Sequence, residues 1–148
     1  MISEFDDTTF AILKHNNACG LASRETLVEA WKAALAGDPV SAFGGVLITN
    51  RPIDKETAEE MHKIFFEVCI APGYTADALE VLEQKKNRII LVQKPFNASN
   101  RQFRSLLNGV LVQDRDLYRE KPEELKQVTE KAVTPAEVED LLLSLIHI

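Results

Sequence analysis

The feature that most constrains this chain is alternation: short apolar runs of strand-like composition take turns with stretches whose apolar residues recur at helical spacing. Thr9-Phe10-Ala11-Ile12-Leu13 reads as a buried strand ending in the polar, turn-like stretch Asn16-Asn17-Ala18-Cys19-Gly20. Ser23 can cap a helix that puts Leu27, Ala30, Trp31 and Ala34 on one face, with Gly37 as its stop. The loop from Asp38 to Gly45 leads into the strand Val46-Leu47-Ile48-Thr49. Asp54 caps a second helix with Ala58, Met61, Phe65 and Val68 in register. This helix gives way near Glu67 to the strand Val68-Cys69-Ile70-Ala71, closed by Pro72-Gly73. Thr75 opens a short helix through Ala78, Leu79 and Leu82, and Arg88-Ile89-Ile90-Leu91-Val92 is a further strand. Such alternation predicts an α/β fold with a substantially parallel sheet, whose ligands gather beyond the carboxyl ends of the strands. Lys14 and His15 fall at such an end.

Beyond Pro95 the pattern weakens. Phe103 to Val112 predicts an extended pair or a bulged strand. Thr134-Pro135-Ala136-Glu137 combines a cap, a first-turn proline and a capping-box acid ahead of Val138, Leu141, Leu142 and Leu145, so a helix starts there. A length of 148 residues suits one domain or a piece of one, and a 45% hydrophobic, 27% charged composition without low-complexity tracts is that of a folded globular protein. The opening leads into a buried strand so abruptly that preceding sequence is expected to be missing.

Charge narrows the function classes. The net charge is −6 and the 17 Lys and Arg are dispersed, which gives no basic groove for nucleic acid. No stretch has the length of a membrane span, and Cys19 and Cys69 form no C-x-x-C pair, so reduced thiols in a cytoplasmic protein are expected.

Lys14-His15 is the pair with most chemical potential, because an ammonium beside an imidazole favours the neutral base and leaves a cation in the same site. An ordinary strand-end pair is the competing reading. Both could meet one ligand only if the chain bends out of the strand at His15. Ser41-Ala42-Phe43-Gly44-Gly45 offers backbone for close approach and a ring for stacking, although a strand-entry turn would also use these glycines. It is neither a P-loop nor a complete G-x-G-x-x-G fingerprint. His15, Cys19 and Cys69 lack the His-x-Glu and Pro-Cys-x-x-Cys spacing of a zinc deaminase, and no metal is expected. His62 is expected on the exposed side of its helix, His147 in a doubtful tail, and Lys85-Lys86-Asn87 in a solvated turn.

Lys14 to Gly20, Asp38 to Gly45, Phe66 to Gly73 and Lys85-Lys86-Asn87, in that order, closely resemble the AICAR transformylase domain of the PurH family. The resemblance runs from about Phe5 to Leu143, with Ala18 where the family commonly has proline. It implies an incomplete, cytidine-deaminase-like layered α/β fold without zinc, the first part of a duplicated domain. It further implies formyl transfer from 10-formyltetrahydrofolate, as co-substrate and not tightly bound cofactor, to the amine of AICAR in a homodimer. By resemblance His15 is the general base and Lys14 the cation that polarises the transfer and protonates the leaving folate nitrogen. Asn16, Phe43, Gly44 and Glu67 match substrate-contacting positions. The family's Arg-Tyr-Gly-x-Asn-Pro and Lys-Ser-Asn-Ala motifs, its second half-domain and its cyclohydrolase domain have no counterpart here, and residues 144–148 depart from its pattern. The chain is therefore expected to be an inactive fragment; a non-catalytic nucleotide-binding or assembly module is the alternative.

Overall fold

The computed structural model describes residues 2–95, 99–116, 118 and 120–145, with 143–145 described by backbone alone. The chain forms two compact units, Met1–Lys94 and Pro95–Ile148. The first holds a five-stranded sheet in the order β2-β1-β3-β4-β5. Its strands are β1 (Thr9–Lys14), β2 (Asn17–Ser23), β3 (Gly45–Thr49), β4 (Phe66–Ala71) and β5 (Ile89–Val92). Its helices are α1 (Leu27–Gly37), α2 (Lys55–His62) and α3 (Ala76–Leu82).

The sheet is mixed, which corrects the expectation of a substantially parallel one. β3, β4 and β5 are mutually parallel, but β1 runs antiparallel to both β2 and β3. The stretch expected to be a loop is the strand β2, joined to β1 by the two-residue turn His15-Asn16. Its small residues mislead because they look like turn residues, whereas packing demands them. A Cβ on Gly20 would lie 2.0 Å from the Ala34 carbonyl oxygen of α1, so only glycine lets this helix sit on β2.

Caps explain the helix boundaries. Ser23 is not the cap of α1; it ends β2 and shares a 2.7 Å hydrogen bond with the Thr9 hydroxyl. Thr26 caps instead, in a reciprocal capping box with Glu29. Asp54 and Thr75 cap α2 and α3 as expected. α2 nonetheless stops at His62, short of Phe65 and Val68, because Lys63 and Ile64 N–H turn back to the Glu60 and Met61 carbonyls and tighten the last turn. Val68 belongs to β4, in register with Val46.

The three helices cover one face of the sheet. Phe10, Ile12, Leu47 and Cys69 point into a core with Ala30, Trp31 and Ala34 of α1, Met61 of α2 and Leu82 of α3. Trp31 meets Phe10 edge-on, ring centroids 5.0 Å apart. Arg88, just before β5, closes the far side of this core. Its guanidinium lies 4.1 Å over the Phe66 ring and donates to the Leu82 carbonyl at the end of α3 and the Ile64 carbonyl beyond α2. A cation is favoured where helices leave carbonyls unpaired. The opposite face is apolar from edge to edge. Register aligns Leu21, Ala11, Ile48, Ile70 and Leu91 in one row, and Ala18, Leu13, Val46, Val68 and Ile89 in the next.

In the second unit β6 (Arg101–Leu106) and β7 (Gly109–Asp114) form an antiparallel hairpin whose strand residues are all exposed. This is the extended pair expected from the sequence. α4 (Pro135–Leu145) begins at the expected capping box, with Thr134 N–H donating to the Glu137 carboxylate at 2.8 Å. His147 and the last residues of the doubtful tail, Ile146 and Ile148, lie outside the described residues. Among the described residues, no helix is long and apolar enough to cross a membrane.

Candidate active site

Because β1 is antiparallel to β3, the end of β1 meets the beginnings of β3 and β4. Lys14 and His15 therefore lie at the amino ends of the parallel strands, not beyond their carboxyl ends as the alternation suggested. The same end carries Phe43 and Gly44, just ahead of β3, and Glu67, the second residue of β4. Leu13 pairs with Val46 and Gly45 with Phe66, so the topology alone draws these segments together.

Local geometry then separates the two reactive side chains. Lys14 is the last residue of β1, half-buried, and its ammonium donates to the Phe43 carbonyl at 2.6 Å. One of three N–H donors is thereby committed, and among the described residues two remain for another acceptor. His15 has left the strand: its φ of 56° puts it in the left-handed region, where histidine is among the better-tolerated side chains. His15 and Asn16 are exposed at the hairpin tip, and neither side chain has a hydrogen-bond partner among the described residues. The bend that a shared ligand requires is present.

The Phe43 loop is built by its own polar residues. Asp38 accepts from Ser41 N–H at 2.9 Å and from its hydroxyl at 2.6 Å, and those bonds hold the Asp38 carboxyl below its usual range. Gly44 has a φ of +70° and donates its N–H to the Phe65 carbonyl at 2.8 Å. Phe43 projects outward, 62% exposed, its ring 5.3 Å from that of Phe65. Glu67 is exposed and likewise without a hydrogen-bond partner among the described residues. The end of the sheet thus presents an imidazole, an ammonium, a carboxylate and an aromatic face, a set suited to orienting a polar planar molecule and moving a proton on it.

Other candidates resolve into structural roles. Cys19 is half-buried, its thiol donating to the Ile12 carbonyl and pushed up in pKa by burial; Cys69 is buried in the core and pushed up to about 12 for the same reason. No group of three metal-ligating side chains gathers among the described residues. His62 is half-buried, not on an exposed face: its Nδ1 lies 3.0 Å from the Val81 carbonyl and 3.1 Å from Arg88 Nη1. Lys85, Lys86 and Asn87 occupy an exposed turn, as expected. Phe65 is the site neighbour that the sequence reading missed. Its spacing continues the apolar stripe of α2, and only the early stop of α2 frees it to face the Phe43 loop.

The profile of the AICARFT/IMPCHase bienzyme family matches residues 1–148. The chain belongs to this family. Among its relatives, the bifunctional purine biosynthesis protein PurH of Bacteroides thetaiotaomicron is 68% identical over 144 residues, which cover 97% of this chain and 28% of that protein. The PurH proteins of Limosilactobacillus reuteri and Streptococcus suis are 41% and 42% identical, over 97% and 88% of this chain and 28% and 27% of their own lengths. The chain thus spans little more than a quarter of the AICARFT/IMPCHase relatives it matches.

Proposed function

We propose that this chain carries the proton-transfer side of an AICAR transformylase site, in a protein that moves a formyl group from 10-formyltetrahydrofolate to the amine of AICAR. The observation that carries this reading is the meeting of Lys14-His15 with Phe43-Gly44 and Glu67 at one end of the sheet, in a chain of the AICARFT/IMPCHase family. The AICAR amine is conjugated with its ring and is a poor nucleophile until a base takes its proton. His15, exposed at the hairpin tip, is that base. As the amine nitrogen bonds to the formyl carbon, negative charge collects on the formyl oxygen and the bond to the folate nitrogen breaks. Lys14, held by the Phe43 carbonyl, faces that charge and returns a proton to the departing nitrogen. Asn16, Phe43, Gly44 and Glu67 hold the substrate. The 148 residues form part of one transformylase domain, the first portion of a duplicated, cytidine-deaminase-like fold. The intact protein is a cytoplasmic homodimer, and this segment alone lacks turnover.

The test uses the Bacteroides thetaiotaomicron PurH with its matching segment replaced by residues 5–143 of this chain. His15→Asn deletes the base while tolerating the left-handed backbone, and should lower turnover about a hundred- to ten-thousand-fold. Lys14→Met should lower turnover strongly and leave AICAR affinity within about tenfold. Glu67→Gln should act mainly on affinity. Near-normal turnover in both the His15 and Lys14 variants would refute the assignment.

A further inference from the structure

The connection between α2 and β4 contains an aromatic side chain that the proposed chemistry leaves unused. Phe65 is 47% exposed although it is a large apolar group. It grips the Phe43 loop twice. Its carbonyl accepts the Gly44 N–H at 2.8 Å, and its ring leans on that of Phe43 at a 47° tilt. The point where a Gly44 Cβ would sit is 3.6 Å from Phe65 Cε1 and 3.5 Å from Lys14 Nζ, so ring, loop and ammonium converge on one spot. The loop carbonyl fixed in this way is that of Phe43, the acceptor of the Lys14 hydrogen bond.

We propose that Phe65 is a positioning residue for Lys14, acting through the Phe43 backbone; this rests on the transformylase reading above. A lysine on its four-carbon stem has many rotamers, and its charge is useful in a reaction only when one is selected. The Phe43 carbonyl makes the selection. Beyond the loop's own turn bonds, Gly45 N–H to the Ala42 carbonyl at 3.0 Å among them, Phe65 adds two contacts that bear on that carbonyl, its backbone bond and its ring, and only the ring can be removed by substitution. The next residue, Phe66, is buried in the core with the Arg88 guanidinium 4.1 Å over its ring, so the chain that carries Phe65 is anchored directly beyond it.

The experiment is a double-mutant cycle in the chimeric PurH described above, with Phe65→Ala, Lys14→Met and the pair. Phe65→Ala alone should lower kcat about tenfold, as expected for loss of alignment without loss of a reacting group, and leave AICAR affinity within about threefold. In the Lys14→Met background it should cost nothing further, because its route to the chemistry is already gone. Phe65→Tyr, which keeps the ring, should restore kcat to within about twofold. If alanine lowers the melting temperature of the chimera, Phe65→Leu takes its place in the same cycle. Losses that multiply in the double variant, or a Phe65 effect confined to KM, would overturn the proposal. Near-normal turnover in both the Lys14→Met and the His15→Asn chimeras would instead overturn the transformylase reading, so the two failures are distinct.

Discussion

Replacing Gly20 with alanine tests the claim that β2 is a strand lying under a helix. The added Cβ would meet the Ala34 carbonyl oxygen at 2.0 Å and its carbon at 2.9 Å, about 1.4 Å short of ordinary contact near 3.4 Å. Both atoms are backbone, in the third turn of α1, so no side chain can swing aside. Either α1 lifts off the sheet or β2 bends away. Lifting α1 by even ~1 Å forfeits a quarter to a half of the dispersion energy of each contact beneath it, and the contacts beneath it are those of Trp31, Ala30 and Ala34. Overpacking costs about 1–3 kcal/mol when side chains can adjust. With rigid backbone on both sides the cost should reach about 3 kcal/mol, a large share of the ~5–15 kcal/mol that holds a domain together. Trp31, the only tryptophan, is buried in this contact and reports unfolding directly by fluorescence. For a urea slope of about 2 kcal/mol/M, the midpoint should fall by about 1.5 M. Gly37 supplies the control, since its Cβ would find nothing nearer than Cys19 O at 3.5 Å. Gly37→Ala should be neutral or stabilising by up to ~1 kcal/mol. A Gly20→Ala midpoint equal to that of the parent would refute the packing argument.

Two further outcomes are expected. Arg88→Met keeps the stem but strands the Ile64 and Leu82 carbonyls, and should destabilise by about 2–4 kcal/mol in the same urea assay; a loss within error would deny the guanidinium its role. Raising the pH from 9 should weaken the fold. Cys69 ionises near 9.0 when unfolded but holds its proton to about 12 when folded, so the unfolded state binds fewer protons in that window and stability falls as pH rises. Cys69→Ala should flatten that slope, and an undiminished slope would contradict the assignment.

Element type was largely legible in the sequence wherever local signals were strong. Asp54, Thr75 and the Thr134-Glu137 box each announced a helix start through a side chain that bonds the first turn. What escaped was set by distant contacts. Nothing within Asn17 to Ser23 says strand; its glycine at position 20 is there for α1, a dozen or so residues onward. Strand direction escaped for the same reason, since an unseen hairpin reverses β1 relative to β3. That reversal places the site at the other end of the parallel strands without changing its members, because Lys14, His15, Phe43, Gly44 and Glu67 are marked by motif and not by topology. Phe65 was misplaced because it continued the apolar spacing of α2 beyond its last hydrogen bond.

The left-handed backbone of His15 has a consequence for how this segment can change. At most positions a lost side chain can be replaced by nearly anything small. Here the hairpin tip accepts glycine, asparagine or aspartate readily and β-branched residues hardly at all. A saturation library at position 15, sorted for folding alone, should therefore return a narrow alphabet, and a library sorted for turnover should return a subset of that alphabet. Lineages that abandoned the chemistry would still carry the fingerprint of the turn. Engineers who wish to install a different base at this tip would have to rebuild the loop before they could choose the group.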